Sequence, residues 1–259
     1  MIMRIGIVGY GKMGVLIHQR ALAAGHVVPV IVDPRSEAAE VTEQELSSLS
    51  LPLDVIIDFT KPDVVIDNIK CYGDLKVSAV IGTTGWYDKM NQVATVVDKT
   101  GIGLIWSGNF SLGVNLFFHF VKTASRVMNQ FAQYDIAVHE YHHRNKVDSP
   151  SGTASMLGDM IIAAMDRKTK TVDGLLKRRI DEDELHISST RGGSLPGTHQ
   201  VIFDSDVDTI ILEHSARSRT GFADGAVLAA EWLMGRSGLF TIEDLMQSII
   251  GRNNIEKNK

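Results

Sequence analysis

The chain has 259 residues, 44% of them hydrophobic and 22% charged, with a net charge of −5. This is the composition of a soluble globular protein of one large domain or two small ones, and the acidic balance argues against a general nucleic-acid binder. The single cysteine, Cys71, forbids an internal disulfide, and no apolar run reaches the ~18 residues of a membrane span. The N-terminus opens directly on a strand with no signal-peptide pattern, so a cytoplasmic protein is expected.

Arg4 to Val8 reads as a short buried strand. Gly9-Tyr10-Gly11-Lys12-Met13-Gly14 follows, then a helical pattern that Gly25 can cap, then a second strand from Val27 to Val32 ending at Asp33. Strand, G-x-G-x-x-G, helix, strand and acid in one unit is the dinucleotide-binding fingerprint. Gly9 permits the tight turn, Gly11 lets a pyrophosphate approach the backbone, and Gly14 lets helix and strand pack closely. Asp33, nineteen residues past Gly14, is placed to bind the adenosine ribose and would repel a 2′-phosphate, whereas Arg35 and Ser36 stand close enough to accept one. The cofactor is therefore NADH or NADPH, with the balance toward NADH.

Glu37 to Ser50 is polar and reads as a short helix plus loop. Strands are expected at Asp54–Phe59, Val77–Ile81 and Ile102–Trp106, with helices over Asp63–Tyr72 and Asp88–Lys99. Alternating strands and helices predict a parallel, doubly wound sheet, in which ligands lie at the carboxyl ends of the strands. The Gly9 loop, Gly82-Thr83-Thr84-Gly85 and Ser107-Gly108-Asn109-Phe110 should therefore face one cofactor together.

Beyond Phe110 the pattern changes. Val114, Phe117, Phe118, Phe120, Val121, Ala124 and Met128 predict an amphipathic helix running to about Gln133, its aromatics in the core. A strand leads from Tyr134 into the run HEYHHRNKVDSPSGTA, His139 to Ala154. Ser151 to Met165 reads as a helix burying Met156, Leu157, Met160, Ile161 and Ala164, and Thr169 to Glu184 as a charged, exposed stretch. Leu185–Thr190, His199–Phe203 and Thr209–His214 alternate as strands without helices between them, which predicts an antiparallel or mixed sheet, open to self-pairing. Helices over Ala223–Met234 and from Thr241 to Ile250, the latter with Asp244 in a capping box, could return to cover the first domain. The expected fold is α/β: a dinucleotide-binding domain at 1–110, a substrate-binding and oligomerisation domain at 111–216 built on the mixed sheet, and C-terminal helices at 217–259.

The run from His139 carries the chemistry. His142, His143, Arg144 and Lys146 fall within five residues, followed by Pro150-Ser151-Gly152-Thr153 opening a helix. Cations beside first-turn N–H groups suit a small molecule with carboxylates, and Lys146 with a neighbouring imidazole could move protons. His139-Glu140-Tyr141-His142-His143 also matches the zinc motif H-E-x-x-H, but that motif needs a helix. On a strand its outer histidines stand roughly 13 Å apart, so no metal is assigned. Joined to the first half, the cluster predicts hydride transfer involving a small dianionic substrate held where the two domains meet. The rivals are another two-domain dehydrogenase, a dinucleotide-sensing protein and a zinc peptidase.

Glu140 to Ala154 fits E-x-H-H-x-x-K-x-D-x-P-S-G-T-A throughout, and GTTG at Gly82, GNFSLGVN at Gly108 and FADGAV at Phe222 occur in the matching order. In these motifs the chain resembles the 4-hydroxy-tetrahydrodipicolinate reductase (dihydrodipicolinate reductase) family along nearly its whole length. The resemblance implies NAD(P)H-dependent reduction to tetrahydrodipicolinate, on the route to diaminopimelate and lysine, by a homotetramer built through the second domain's sheet. It further implies that His142 is the catalytic proton donor/acceptor and Lys146 the proton donor to the reduced intermediate. His143, Ser151, Gly152 and Thr153 would contact the dicarboxylate, and Gly9 to Gly14, Asp33, Gly82 to Thr84 and Ser107 to Phe110 the cofactor. The glycine loop departs from the family's usual form: it is one residue shorter, with Lys12 in place of an arginine. The acidic position is Asp33 rather than Glu, so cofactor preference does not carry over.

Overall fold

The structure is a computed structural model that describes residues 1–37, 39 and 52–255. The helix-plus-loop reading of Glu37 to Ser50 lies outside the described residues, apart from 37 and 39. The chain divides into two compact units, Met1–Asn115 with Arg219–Lys259, and Leu116–Ser218.

The first unit is a six-stranded, wholly parallel sheet. Its strands are β1 (Arg4–Val8), β2 (Val27–Val32), β3 (Val55–Asp58), β4 (Ser78–Ile81), β5 (Gly103–Trp106) and, late in the chain, β11 (Gly238–Thr241), in spatial order β2-β1-β3-β4-β5-β11. Their near-continuous apolar sequences follow from burial on both faces. Ile5, Ile7, Val55 and Ile57 pack on one side against α1 (Lys12–Ala23) and α6 (Thr220–Leu233), with Leu245 of α7 (Ile242–Ile255) in the same core. Val8, Ile56, Ala79 and Ile81 pack on the other against Ile69 and Tyr72 of α2 (Val65–Leu75) and Val93 and Val97 of α3 (Met90–Thr100). The chain turns one way from β1 to β2 and the other way to β3. The crevice at the carboxyl ends of these strands is thus the topological switch point where such sheets bind ligands.

Strand β11 was not expected. The sequence after Ser218 reads as helices alone, and four residues are too few to declare a period. Gly238-Leu239-Phe240-Thr241 becomes a strand because β5 offers a free edge, with Gly238 opposite Gly103 and Thr241 opposite Trp106. The capping box behaves as expected, since the Thr241 N–H donates to the Asp244 carboxylate at 2.7 Å.

The second unit carries a mixed sheet in the order β10-β9-β6-β8-β7. Its strands are β6 (Asp135–His142), β7 (Lys170–Asp173), β8 (Glu184–Arg191), β9 (Thr198–Asp204) and β10 (Thr209–Ser215). β9 runs antiparallel to both β6 and β10, and β6, β8 and β7 run parallel. α5 (Gly152–Ala164) packs on β6, β7 and β8. α4 (Leu112–Met128) buries Phe117, Phe118 and Val121.

Three expectations are corrected here. The charged stretch from Thr169 to Glu184 contains β7 and ends in a buried Glu184, which Arg178 neutralises at 2.7 Å. Its charges read as solvated only until the pairing partner is known. Met156 is 52% exposed, because α5 turns Ala154, Leu157, Gly158 and Ile161 inward instead. Phe120 is 55% exposed, at the border of the stripe of α4 that buries Phe117, Phe118 and Val121.

Candidate functional site

Each unit presents one cluster. In the first, Gly9 adopts φ +87, and a Cβ there would lie 2.5 Å from the Phe59 carbonyl oxygen. A Cβ on Gly14 would stand 2.1 Å from the Gly9 carbonyl oxygen, so α1 can begin this close to β1 only with glycine at that position. Gly11, the N-cap of α1, has nothing within 4 Å of its Cβ position and leaves the helix N-terminus open to an anion. Asp33 closes the motif: its carboxylate accepts from the Tyr10 N–H at 2.7 Å and the Arg35 N–H at 2.8 Å. Gly9, Tyr10, Gly11, Asp33, Arg35 and Ser36 line one cavity of about 630 Å³, together with Phe59, Thr60 and Lys61 from the loop after β3. Lys12 and Met13 begin α1 beside it, Lys12 exposed. These residues fit a dinucleotide: a bare helix N-terminus for its diphosphate and an acid for its ribose.

The loops after β4 and β5 stand at the same edge of the sheet without lining that cavity. Gly82, Thr83 and Thr84 follow β4, and the Thr83 hydroxyl donates to the buried Asp58 at 3.1 Å. After β5, the Ser107 hydroxyl oxygen accepts from the Asn109 N–H at 3.0 Å, which folds Gly108 into a tight turn. Phe110 is buried against Phe59 with ring centroids 6.2 Å apart.

In the second unit, the alternation of β6 turns Ile136, Val138, Glu140 and His142 to the covered face, and Ala137, His139 and Tyr141 to the other. His139 therefore cannot join Glu140 and His143 in an H-E-x-x-H site. It bonds Ser188 instead. Register then assembles a different group: Glu140 stands opposite Ser189 of β8 and His199 of β9, and His142 opposite Arg191.

Glu140 is fully buried. Its Oε1 accepts from the Ser151 N–H at 2.9 Å, the Ser189 hydroxyl at 2.8 Å and the Arg191 guanidinium at 2.7 Å. Its Oε2 faces His142 Nδ1 at 3.1 Å and His199 Nε2 at 3.5 Å. Burial opposes ionisation, but the polar groups around it, those of His199, Ser151, Arg191 and Ser189, outweigh that and hold the carboxyl far below its ordinary value. Burial also pushes His142 down to about 4, against the attraction of Glu140 and assisted by His199, Lys146 and Arg191. His142 is accordingly neutral at pH 7. Among the described residues, Glu140, His142 and His199 are the group whose ligand atoms come within 4.8 Å of one another. Arg191 already neutralises that carboxylate and three donors occupy its Oε1, which suits an ion-pair network and disfavours a dication.

The loop after β6 is pinned back on the sheet: the Gly192 N–H donates to the His142 carbonyl at 3.0 Å, and the Arg144 N–H to that of Gly193 at 3.3 Å. Lys146 pairs with Asp148 at 2.8 Å. Ser151 caps α5, its hydroxyl oxygen accepting from the Ala154 N–H at 3.2 Å, and Gly152 and Thr153 form the first turn. A cavity of about 520 Å³ is lined by His143, Arg144, Asn145, Gly193 and Ser194. Of the residues expected on this site, His142 and Ser151 thus share one carboxylate, Lys146 is held by Asp148, and His143 lines the cavity.

Sequence reasoning missed Arg191, His199, Gly193 and Ser194. The only signals for them were an arginine opening a glycine-rich run and one histidine among three in the strands.

The comparisons agree with this architecture. The family model described as dihydrodipicolinate reductase, N-terminus, matches residues 3–110, and that described as dihydrodipicolinate reductase, C-terminus, matches residues 113–246. A 4-hydroxy-tetrahydrodipicolinate reductase of Christiangramia forsetii is 35% identical over 247 residues, 95% of this chain and 99% of that protein. One from Neisseria meningitidis is 39% identical over 207 residues, 78% of this chain and 74% of its own. Among solved structures, a dipicolinate-bound dihydrodipicolinate reductase from Paenisporosarcina superposes with a TM-score of 0.76 at 25% identity, covering 93% of this chain and 98% of the other. With both halves matched by family models and the relatives aligned over most of their length, the chain belongs to the dihydrodipicolinate reductase family.

Proposed function

We propose that this chain reduces 4-hydroxy-tetrahydrodipicolinate to tetrahydrodipicolinate with NADH or NADPH, on the route to diaminopimelate and lysine. The observation that carries the reading is the folded end of β6, where His142, Arg191 and the start of α5 gather around one buried carboxylate, with Lys146 close enough to act on His142. The N-terminal half, 1–110 with 217–259, is read as the dinucleotide-binding part, and 111–216 as the substrate-binding and oligomerisation part.

The bound dinucleotide supplies the hydride. Gly9 to Gly14 hold its diphosphate and Asp33 its ribose, with Gly82 to Thr84 and Ser107 to Phe110 along the same strand ends. The substrate's carboxylates are met by His143 and by the first turn of α5 at Ser151, Gly152 and Thr153, where the N–H groups of Gly152 and Thr153 have no helical partners and that of Ser151 is taken by Glu140. Neutral at pH 7, His142 is an acceptor and an orienting group. Lys146 keeps its proton until the reduced intermediate needs one, and Asp148 keeps the ammonium in place. Positive charge from Lys146 and Arg191 stabilises the negative charge that develops as the hydride arrives.

Asp33 favours NADH, while Arg35 and Lys61 on the same cavity can accept a 2′-phosphate. The half-exposed face of the second unit's sheet supports a homotetramer, and the pathway and lone cysteine support a cytoplasmic enzyme. The test is a coupled assay: pyruvate and aspartate semialdehyde are condensed by the preceding synthase, and loss of the reduced cofactor's absorbance is followed with NADH and with NADPH. Turnover with both, faster with NADH, is expected. Binding of NADH without turnover would make the chain a dinucleotide sensor instead.

A further inference from the structure

We propose that Glu140 is the positioning residue for His142: its Oε2 receives the imidazole Nδ1 proton and so fixes the tautomer that leaves Nε2 as the group offered to the substrate. The inference rests on the reading of His142 as an active-site residue. It assigns to Glu140 a role that the motif alone does not reveal.

The geometry narrows the choice step by step. Oε1 of Glu140 already accepts three hydrogen bonds, from Ser151, Ser189 and Arg191, which fix the plane of the carboxylate. Oε2 and His142 Nδ1 are both buried and neither makes an aligned hydrogen bond, yet they stand 3.1 Å apart. The competing donor is His199, whose Nε2 lies 3.5 Å from Oε2 and 3.2 Å from the Ser151 hydroxyl oxygen. That oxygen accepts from the Ala154 N–H, which leaves the Ser151 hydroxyl proton free to go to His199 Nε2. His199 Nε2 then serves as an acceptor, and Oε2 is left to His142.

A neutral imidazole carries one N–H, and its neighbour decides which nitrogen holds it. The charged and titratable groups facing His142 are Glu140 on its own strand, Arg191 of β8, His199 of β9 and Lys146 of the following loop. Only Glu140 among them is an anion, and an anion cannot face a lone pair on Nδ1 without repulsion. The far nitrogen is kept clear by backbone: at Gly197, where φ is +128, a Cβ would lie 2.9 Å from His142 Nε2.

The test is E140Q. The amide oxygen can keep the three donors at the Oε1 position, which turns the NH₂ group toward Nδ1 and drives the ring proton to Nε2. Nitrogen-15 NMR of the labelled protein, with the His142 resonance identified by its loss in H142N, should show Nδ1–H in the wild type and Nε2–H in E140Q. Turnover of E140Q should fall about tenfold or more while KM for the reduced cofactor stays within about twofold. E140D, which keeps the charge, should recover part of the loss. A wild-type ring protonated at Nε2, or E140Q with unchanged turnover and tautomer, overturns the proposal. The wild-type NMR reading needs no active variant and no substrate, so it fails or stands independently of the coupled assay.

Discussion

In the proposed mechanism the proton economy of the site rests on the pair Lys146 and Asp148. Burial of the Lys146 stem is partial and Asp148 is more than half exposed, so the pair adds little to stability. Lys146→Ala should therefore leave the fold and the cofactor KM intact while turnover falls about 100-fold or more, the ordinary worth of a positioned acid. Steady-state kinetics with both substrates varied decides this, and wild-type-like turnover removes Lys146 from the mechanism. His142 has a second signature, in stability. Its folded value of about 4 lies below the ordinary 6.5, so between these values the unfolded chain binds a proton that the folded one refuses. Native stability should fall as pH drops from 6.5 toward 4. Glu140 acts below its ordinary 4.5, where the stability its ionised form contributes is lost as pH falls further. Urea unfolding at stepped pH should show the slope between these values reduced in H142N. Part of the slope should remain, because burial also lowers His139 and His214. An unchanged slope would contradict the burial account.

At the scale of elements, the first unit's loops are tied together by Asp58 at the end of β3. Its carboxylate accepts from the Thr60 N–H at 2.9 Å, the Thr60 hydroxyl at 2.6 Å, Thr83 at 3.1 Å, Asn68 at 3.1 Å and Tyr72 at 2.7 Å. One side chain thus fixes the loops after β3 and β4 to α2. Asp58→Ala strands these donors in the interior and should cost about 3 kcal/mol or more. Cofactor KM should rise with it, since Thr60 lines the dinucleotide cavity. Chemical unfolding and NADH titration measure the two effects, and a loss of stability with unchanged NADH affinity would confine Asp58 to the core. The local devices here were legible beforehand: the spacing of Gly9, Gly11 and Gly14, the Asp33 stop and the Thr241–Asp244 cap all act within one turn or one strand.

At the scale of the molecule, the second unit's sheet leaves one face without a helix layer of its own among the described residues. Tyr141, Gln200 and Ile202 are half-buried there, and Ile211 is 51% exposed. Half-buried and exposed apolar residues on an uncovered sheet face suit packing against a second surface, here proposed to be another copy of the chain. Ile211→Glu, opposite Ile202 in the register, should shift the proposed tetramer to smaller species in sedimentation velocity, with the circular dichroism of the fold retained. A wild-type monomer at micromolar concentration would end the oligomer reading.

The sequence by itself determined whatever depends on near neighbours. The dinucleotide loop, the alternation that sets Glu140 and His142 on one face of β6, and the helix start at Ser151 are written within a few residues, and steric and hydrogen-bonding rules act over that range. Only the tertiary structure decided which distant residues meet them. Arg191 and His199 reach Glu140 because β8 and β9 pair with β6 in one register. A shift of one residue would turn both to the other face. The same holds for β7 and β11, four residues each, which are strands because an edge was waiting for them. Burial of Phe120 and Met156 failed as an expectation for a related reason: helical period marks an apolar stripe, but the partner surface selects how much of it is covered.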